Sequence, residues 1–221
     1  MALNLIWNWL RQRLKKHRGV PTGRKIPWPR PDEIALLPWF EELRLDHIVV
    51  VSTPEGAAQA FDELALAEVV GFDTESKPTF RKGEISHGPH VAQFSTLARA
   101  YVFMLHQAEC RAAAAALIKL PALKKVGFGL GDDLKRIRGK LRVSPSGVLD
   151  LETLFSARGY GRGVGVKVAV AIAFRRRFRK SKKTSTSNWA APHLSDQQLL
   201  YAANDAFAAI KVFRALNQSK S

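Results

Sequence analysis

The chain is 221 residues long, carries a formal net charge of +16 and is 46% hydrophobic. That length fits one domain with a short appendage, at roughly 100–200 residues per domain, and the apolar fraction is ample for a core. No apolar run approaches the ~18 residues a membrane-spanning helix needs. The single cysteine, Cys110, excludes an internal disulfide and points to a reducing intracellular compartment, with the cytoplasm as the expected location. A chain this basic calls for a polyanionic partner, either nucleic acid or an anionic membrane surface.

The charge is unevenly spread. Residues 1–31 contain basic side chains and no acid, and no acid falls between Glu152 and Asp196. Residues 1–20 read as an amphipathic helix, with Leu3, Ile6, Trp7, Leu10 and Leu14 on one face, suited to docking on the domain itself or on a partner. Residues 21–42 hold Pro21, Pro27, Pro29, Pro31 and Pro38 and read as an extended linker. The main domain is expected over 43–217, with a tail at 218–221.

Within the domain, strands are expected over 47–52, 69–75, 90–95, 101–104 and 125–128, the third and fourth as a hairpin. Thr53-Pro54 opens a helix running to about Leu66, because Thr caps and Pro suits the first helical position. Further helices are expected over 107–119, 132–139, 150–158, 163–174 and 195–216, the last started by a Ser195/Gln198 capping box. Strands first and helices massed at the end indicate an α/β fold, a mixed sheet covered by helices.

Three stretches carry chemistry. Gly71-Phe72-Asp73-Thr74-Glu75 ends an apolar strand, and alternation puts Asp73 and Glu75 on the same face. Two carboxylates forced together repel unless a hard divalent cation lies between them. The second stretch runs from Val126 through the glycine-rich turn to Asp132-Asp133-Leu134. Here one Asp is expected to cap the helix (Asp132) and the other to be a ligand (Asp133), an assignment that spacing alone leaves open. In the third, Tyr201 and Asp205 lie four apart on one helical face, and the small Ala202, Ala203 and Ala206 let that helix approach a neighbour closely.

In this order the three stretches resemble the DEDD 3′–5′ exonucleases, in the tyrosine-containing subgroup of RNase D and the Werner-type exonucleases. The resemblance covers about residues 45–216 and is closest at Ser187-Asn188-Trp189, Leu194-Ser195 and Tyr201 to Asp205. It implies an RNase H-like sheet in a single domain bearing the N-terminal helical extension. It also implies two divalent cations, Mg²⁺ or Mn²⁺, held by Asp73, Glu75, Asp133 and Asp205, and it favours Asp133 over Asp132. By the same resemblance Asp73 bridges both ions, Glu75 and Asp205 serve the water-activating ion, Asp133 serves the second, and Tyr201 orients the attacking water. The implied reaction is hydrolysis of DNA or RNA from the 3′ end, releasing 5′-mononucleotides.

The basic run around Phe174–Lys183 offers a grip for the strand backbone through Arg175, Arg176, Arg177, Arg179, Lys180, Lys182 and Lys183. Thr74 and Phe128 are further candidates for contact with the nucleic acid, Phe128 by stacking on a base, whereas Trp189 is expected to pack. The competing reading is a nucleic-acid-binding module that keeps the fold without catalysis. A third is a tethered protein acting through residues 1–20.

Overall fold

The computed structural model describes residues 25–79 and 87–218; the helix expected over 1–20 lies outside them. Six strands form one sheet: β1 (Ile48–Val51), β2 (Val69–Glu75), β3 (Val91–Ser95), β4 (Ala100–Met104), β5 (Lys124–Gly127) and β6 (Val148–Asp150). Their order is β1-β4-β3-β2-β5-β6. The expected hairpin of β3 and β4 is present, and β3 pairs antiparallel with both β4 and β2, while β1 pairs parallel to β4, β5 to β2 and β6 to β5. The sheet is therefore mixed, as the strand and helix pattern requires.

The helices are α1 (Pro31–Ala35), α2 (Pro54–Ala65), α3 (Ala108–Lys119), α4 (Gly131–Leu141), α5 (Leu151–Phe155), α6 (Val166–Phe174), α7 (Lys182–Ser185) and α8 (Asp196–Gln218). They cover both faces of the sheet. Val70 and Phe72 of β2 pack with Leu64, Leu117, Ile118 and Ile137 in a core beneath α2, α3 and α4. Val69 faces the other way, into a core with Val170, Ala203, Phe207 and Ile210 of α6 and α8. A central strand covered on both faces reads as a continuous apolar run, which is why β2 stood out in the sequence.

Several boundaries have clear local causes. The Thr53 hydroxyl accepts from the Gly56 amide at 3.1 Å and starts α2. The Ser195 amide donates to Gln198 Oε1 at 3.1 Å and the Gln198 amide to Ser195 Oγ at 3.3 Å, which completes the expected capping box. The helix expected over 150–158 stops at Phe155 and passes into a wider turn, where Gly159 takes a positive φ of 90°. β6 leaves no signal in the sequence because three residues give no alternation. Cys110 and Trp189 are both buried.

Residues 38–43 pack against the domain rather than standing clear of it. Phe40 and Leu43 are buried. The Phe40 amide donates to the Arg177 carbonyl at 3.0 Å, and the Arg177 amide to the Pro38 carbonyl at 2.9 Å. The Leu43 amide donates to Asn204 Oδ1 at 2.7 Å, which ties this segment to the middle of α8.

Candidate active site

The odd-numbered residues of β2 face α8 and the even-numbered ones face the opposite helical layer. Gly71 is the closest approach on the α8 side: a Cβ built there would lie 1.8 Å from the Ala206 carbonyl oxygen. The small residues of α8 allow this contact, as their spacing suggested. One residue before Ala206 along α8 and two residues beyond Gly71 along β2, the acids meet. Asp73, Glu75 and Asp205 each offer an oxygen, and these oxygens lie within 4.8 Å of one another.

Asp133 arrives from the other layer. Thr74, the even-numbered residue between the two strand acids, donates its hydroxyl to Asp133 Oδ1 at 2.5 Å. Thr74 is buried and its hydroxyl is engaged with Asp133. Asp133 thus stands beside the three-acid cluster, near enough for its charge to act on Asp73. Asp132 is not the helix cap: Leu130 holds that position. Asp132 lies exposed in the first turn of α4, where Lys135 donates to it at 3.0 Å and its pKa is lowered.

Asp150 replaces the expected cap. Its carboxylate accepts from the Gly129 amide at 3.1 Å, the Leu130 amide at 2.9 Å and the Glu152 amide at 3.0 Å. It therefore fixes the turn that presents Asp133, a turn that Gly129 makes possible with a φ of 65°. No local signal marks this role, because Asp150 reads simply as the start of a helix.

The electrostatics follow from crowding. Burial, followed by the charges of Asp205 and Asp133, raises the Asp73 carboxyl well above its ordinary range. Burial and the neighbouring acids push Glu75 up to about 10. Asp205 is raised by burial and held back by Lys180, whose Nζ donates to its Oδ2 at 2.8 Å. Lys180 itself is drawn down by burial, but Asp205 and Asp73 outweigh that and raise it. Burial, then Asp205, also raises the Tyr201 phenol, whose ring packs 5.9 Å from that of Trp189.

The donor set fits a hard divalent cation. Carboxylates this crowded favour holding protons unless positive charge joins them. Asp205 Oδ1 is buried with no hydrogen-bond partner, and so are both amide atoms of Gln93, which lies opposite Asp73 in the β2–β3 register.

The basic run is a docked strap rather than a solvated loop. Phe178 is buried in the core. Arg177 and Arg179 lie over the Trp39 ring, with their guanidinium carbons 3.7 and 4.8 Å from its centroid. Lys180, expected among the strand contacts, reaches Asp205. Arg175 ends α6 in the left-handed region, while Arg176, Lys182 and Lys183 are exposed. Phe128 is half-buried against the core. Trp39 and Asn204 carry no local sequence signal, because their partners lie far away along the chain.

Solved structures similar to this one include nucleases. The EXO domain of Aedes aegypti Nibbler superposes with a TM-score of 0.68 at 22% identity, covering 81% of this chain and 92% of that one. Trypanosoma brucei RNase D gives 0.68 at 21%, covering 76% and 64%. Escherichia coli RNase D gives 0.62 at 18%, covering 77% and 45%, so this chain spans less than two thirds of either RNase D. No curated protein sequence matches the chain. The family model described as 3′–5′ exonuclease matches residues 48–219, a span running from β1 to the end of α8 and containing all four acids and Tyr201. By that match the chain belongs to the 3′–5′ exonuclease family.

Proposed function

We propose that this exonuclease hydrolyses DNA or RNA from the 3′ end with two divalent cations, Mg²⁺ or Mn²⁺, and releases 5′-mononucleotides. The observation that carries the reading is the convergence of Asp73, Glu75 and Asp205 within 4.8 Å, with Asp133 tethered beside them through Thr74. Asp73, Glu75 and Asp205 would hold one ion, and Asp73 with Asp133 the other. Bound there, the ions supply an acidified water and neutralise the charge that gathers on the phosphate.

The chain's own groups do the remaining work. Tyr201 keeps its proton at neutral pH because burial and Asp205 raise its phenol. It therefore orients a water by hydrogen bonding and does not act as a base. Lys180, over the Tyr201 ring at 5.5 Å, carries a positive charge to the edge of the cluster, where a phosphate would arrive. Arg175, Arg176, Lys182 and Lys183 add to the field that draws in the strand. Among the solved neighbours, Trypanosoma brucei RNase D is described in complex with RNA U12 and the Escherichia coli enzyme as an exoribonuclease, which makes RNA the first substrate to try beside DNA.

The test is degradation of 5′-labelled RNA and DNA with Mg²⁺, Mn²⁺ or EDTA. A ladder shortening from the 3′ end, absent with EDTA and in Asp73→Ala, is the expected result. One observation favours the non-catalytic module: Lys180 already places a positive charge against Asp205. Tight binding with intact substrate in both metals would establish that reading instead.

A further inference from the structure

Trp39 lies outside the span matched by the exonuclease family, which begins at residue 48. Its indole is 48% exposed. Large aromatic side chains are costly to leave in water, yet this one is held in place. The bridge between Trp39 and Arg177 is closed by backbone hydrogen bonds on both sides, from Arg177 to Pro38 at 2.9 Å and from Phe40 to Arg177 at 3.0 Å. Arg177 also donates from its guanidinium to the Ala35 carbonyl at 2.9 Å. Its planar head lies flat enough to bring Cζ 3.7 Å from the indole centroid, with Arg179 at 4.8 Å.

Both segments of this platform are anchored next to the acids. Leu43 and Asn204 exchange hydrogen bonds in both directions, at 2.7 and 3.2 Å, and Asn204 precedes Asp205. On the other segment, Arg179 precedes Lys180, whose ammonium is 2.8 Å from Asp205. Glu42 is the carboxylate beside this pair, 3.9 Å from Arg179.

We propose that Trp39, Arg177 and Arg179 form a subsite for one nucleotide of the single strand, upstream of the scissile bond. The base stacks on the layered indole and guanidinium surface, and the guanidiniums hold the adjoining phosphate. An aromatic ring takes any base face and arginine takes the phosphodiester, so the subsite recognises single-stranded nucleic acid without reading sequence. The inference rests on the exonuclease reading for the placement of the 3′ end, but binding at the platform requires no hydrolysis.

Equilibrium binding in EDTA separates the two. Fluorescence anisotropy would compare a 5′-labelled dinucleotide, too short to span both places, with a 5′-labelled single-stranded 12-mer RNA. The wild type is expected to bind the 12-mer more tightly. Trp39→Ala should remove roughly five-fold to a hundred-fold of that gain, the range for loss of one stacked base. Arg179→Gln should lower the slope of log affinity against log salt by about 0.7, the value for one phosphate contact on a single strand. Lys119→Gln, the same loss of charge on the opposite helical layer, should do neither. Unchanged 12-mer affinity in Trp39→Ala overturns the proposal, and so does an equal loss for dinucleotide and 12-mer, which would mean a general structural effect. Trp39→Phe guards against misfolding, since it should keep most of the gain. Binding that responds as expected in a protein that cuts nothing would leave the platform standing and the exonuclease reading fallen.

Discussion

The most exacting test of the site's geometry adds one methyl group away from every acid. Gly71 meets the backbone of α8, where a Cβ would sit 1.8 Å from the Ala206 oxygen and 2.7 Å from its carbonyl carbon. Ordinary contact begins at 3.4 Å, so in Gly71→Ala the helix and strand must part by about 1.6 Å. Neither element can absorb this by turning a side chain, because the obstruction is main chain. Asp205 precedes Ala206 and Asp73 is two residues from Gly71, so the separation passes straight into the acid cluster.

A misplacement of this size costs on the order of 10²-fold in rate. The strain itself costs about 1–3 kcal/mol, each kcal/mol worth about 2–4 °C in Tm for a chain this long. The assay is the initial rate on a 5′-labelled oligonucleotide with saturating Mg²⁺, alongside thermal unfolding with and without metal. Gly139→Ala is the control: that glycine lies in α4 with nothing within 4 Å of a built Cβ. Alanine there should stabilise the helix by about 0.5–1 kcal/mol and leave the rate alone. A Gly71→Ala protein with wild-type rate and Tm would refute the claim that this contact sets the spacing of the acids.

Three further outcomes are expected. Glu75 is raised from 4.5 to about 10, so its protonated folded form contributes stability that is fully present below pH 4.5 and lost as pH rises toward 10. The metal-free Tm should therefore fall from about pH 5 to about pH 8, Glu75→Gln should flatten the slope, and saturating Mg²⁺ should abolish it; a wild-type Tm that climbs over that range would contradict the crowding argument. Thr74→Val frees Asp133 from its hydrogen bond and should cut the rate about ten-fold and stability by about 1–3 kcal/mol, with Thr74→Ser restoring both in kinetics and unfolding. Lys180→Met should lower the metal-free Tm by about 2–4 °C, the effect of roughly 1 kcal/mol. It should also tighten Mn²⁺ binding in calorimetry, and weaker binding would show that Lys180 assists the metal rather than competing with it.

The sequence displayed whatever its own neighbours determine. β2 was legible because an apolar run ends abruptly in two alternating acids, and α8 because its cap, its small residues and the Tyr201–Asp205 spacing share one period. Long-range placement was hidden. Asp150 holds amides 20 and 21 residues before it, and Asn204 holds a backbone 161 residues away, so neither partner shares a window with it. The basic strap was legible as charge, but not as a docked segment. Its anchor, Trp39, lies among prolines that suggested an open linker.

The two faces of β2 explain why four acids do not act as one cluster. Alternation commits Asp73 and Glu75 to the α8 side with Asp205, while Thr74 must face α4 and bring Asp133 in by its hydroxyl. The strand end is where carboxylates from both layers come near each other. Such a site suits a pair of cations with shared and unshared ligands, because the acids arrive already divided. The same division limits the damage when no metal is bound: protonated Glu75 and the Lys180 ammonium each remove one net negative charge from the α8 side. Metal binding there would displace a proton, an ammonium or both.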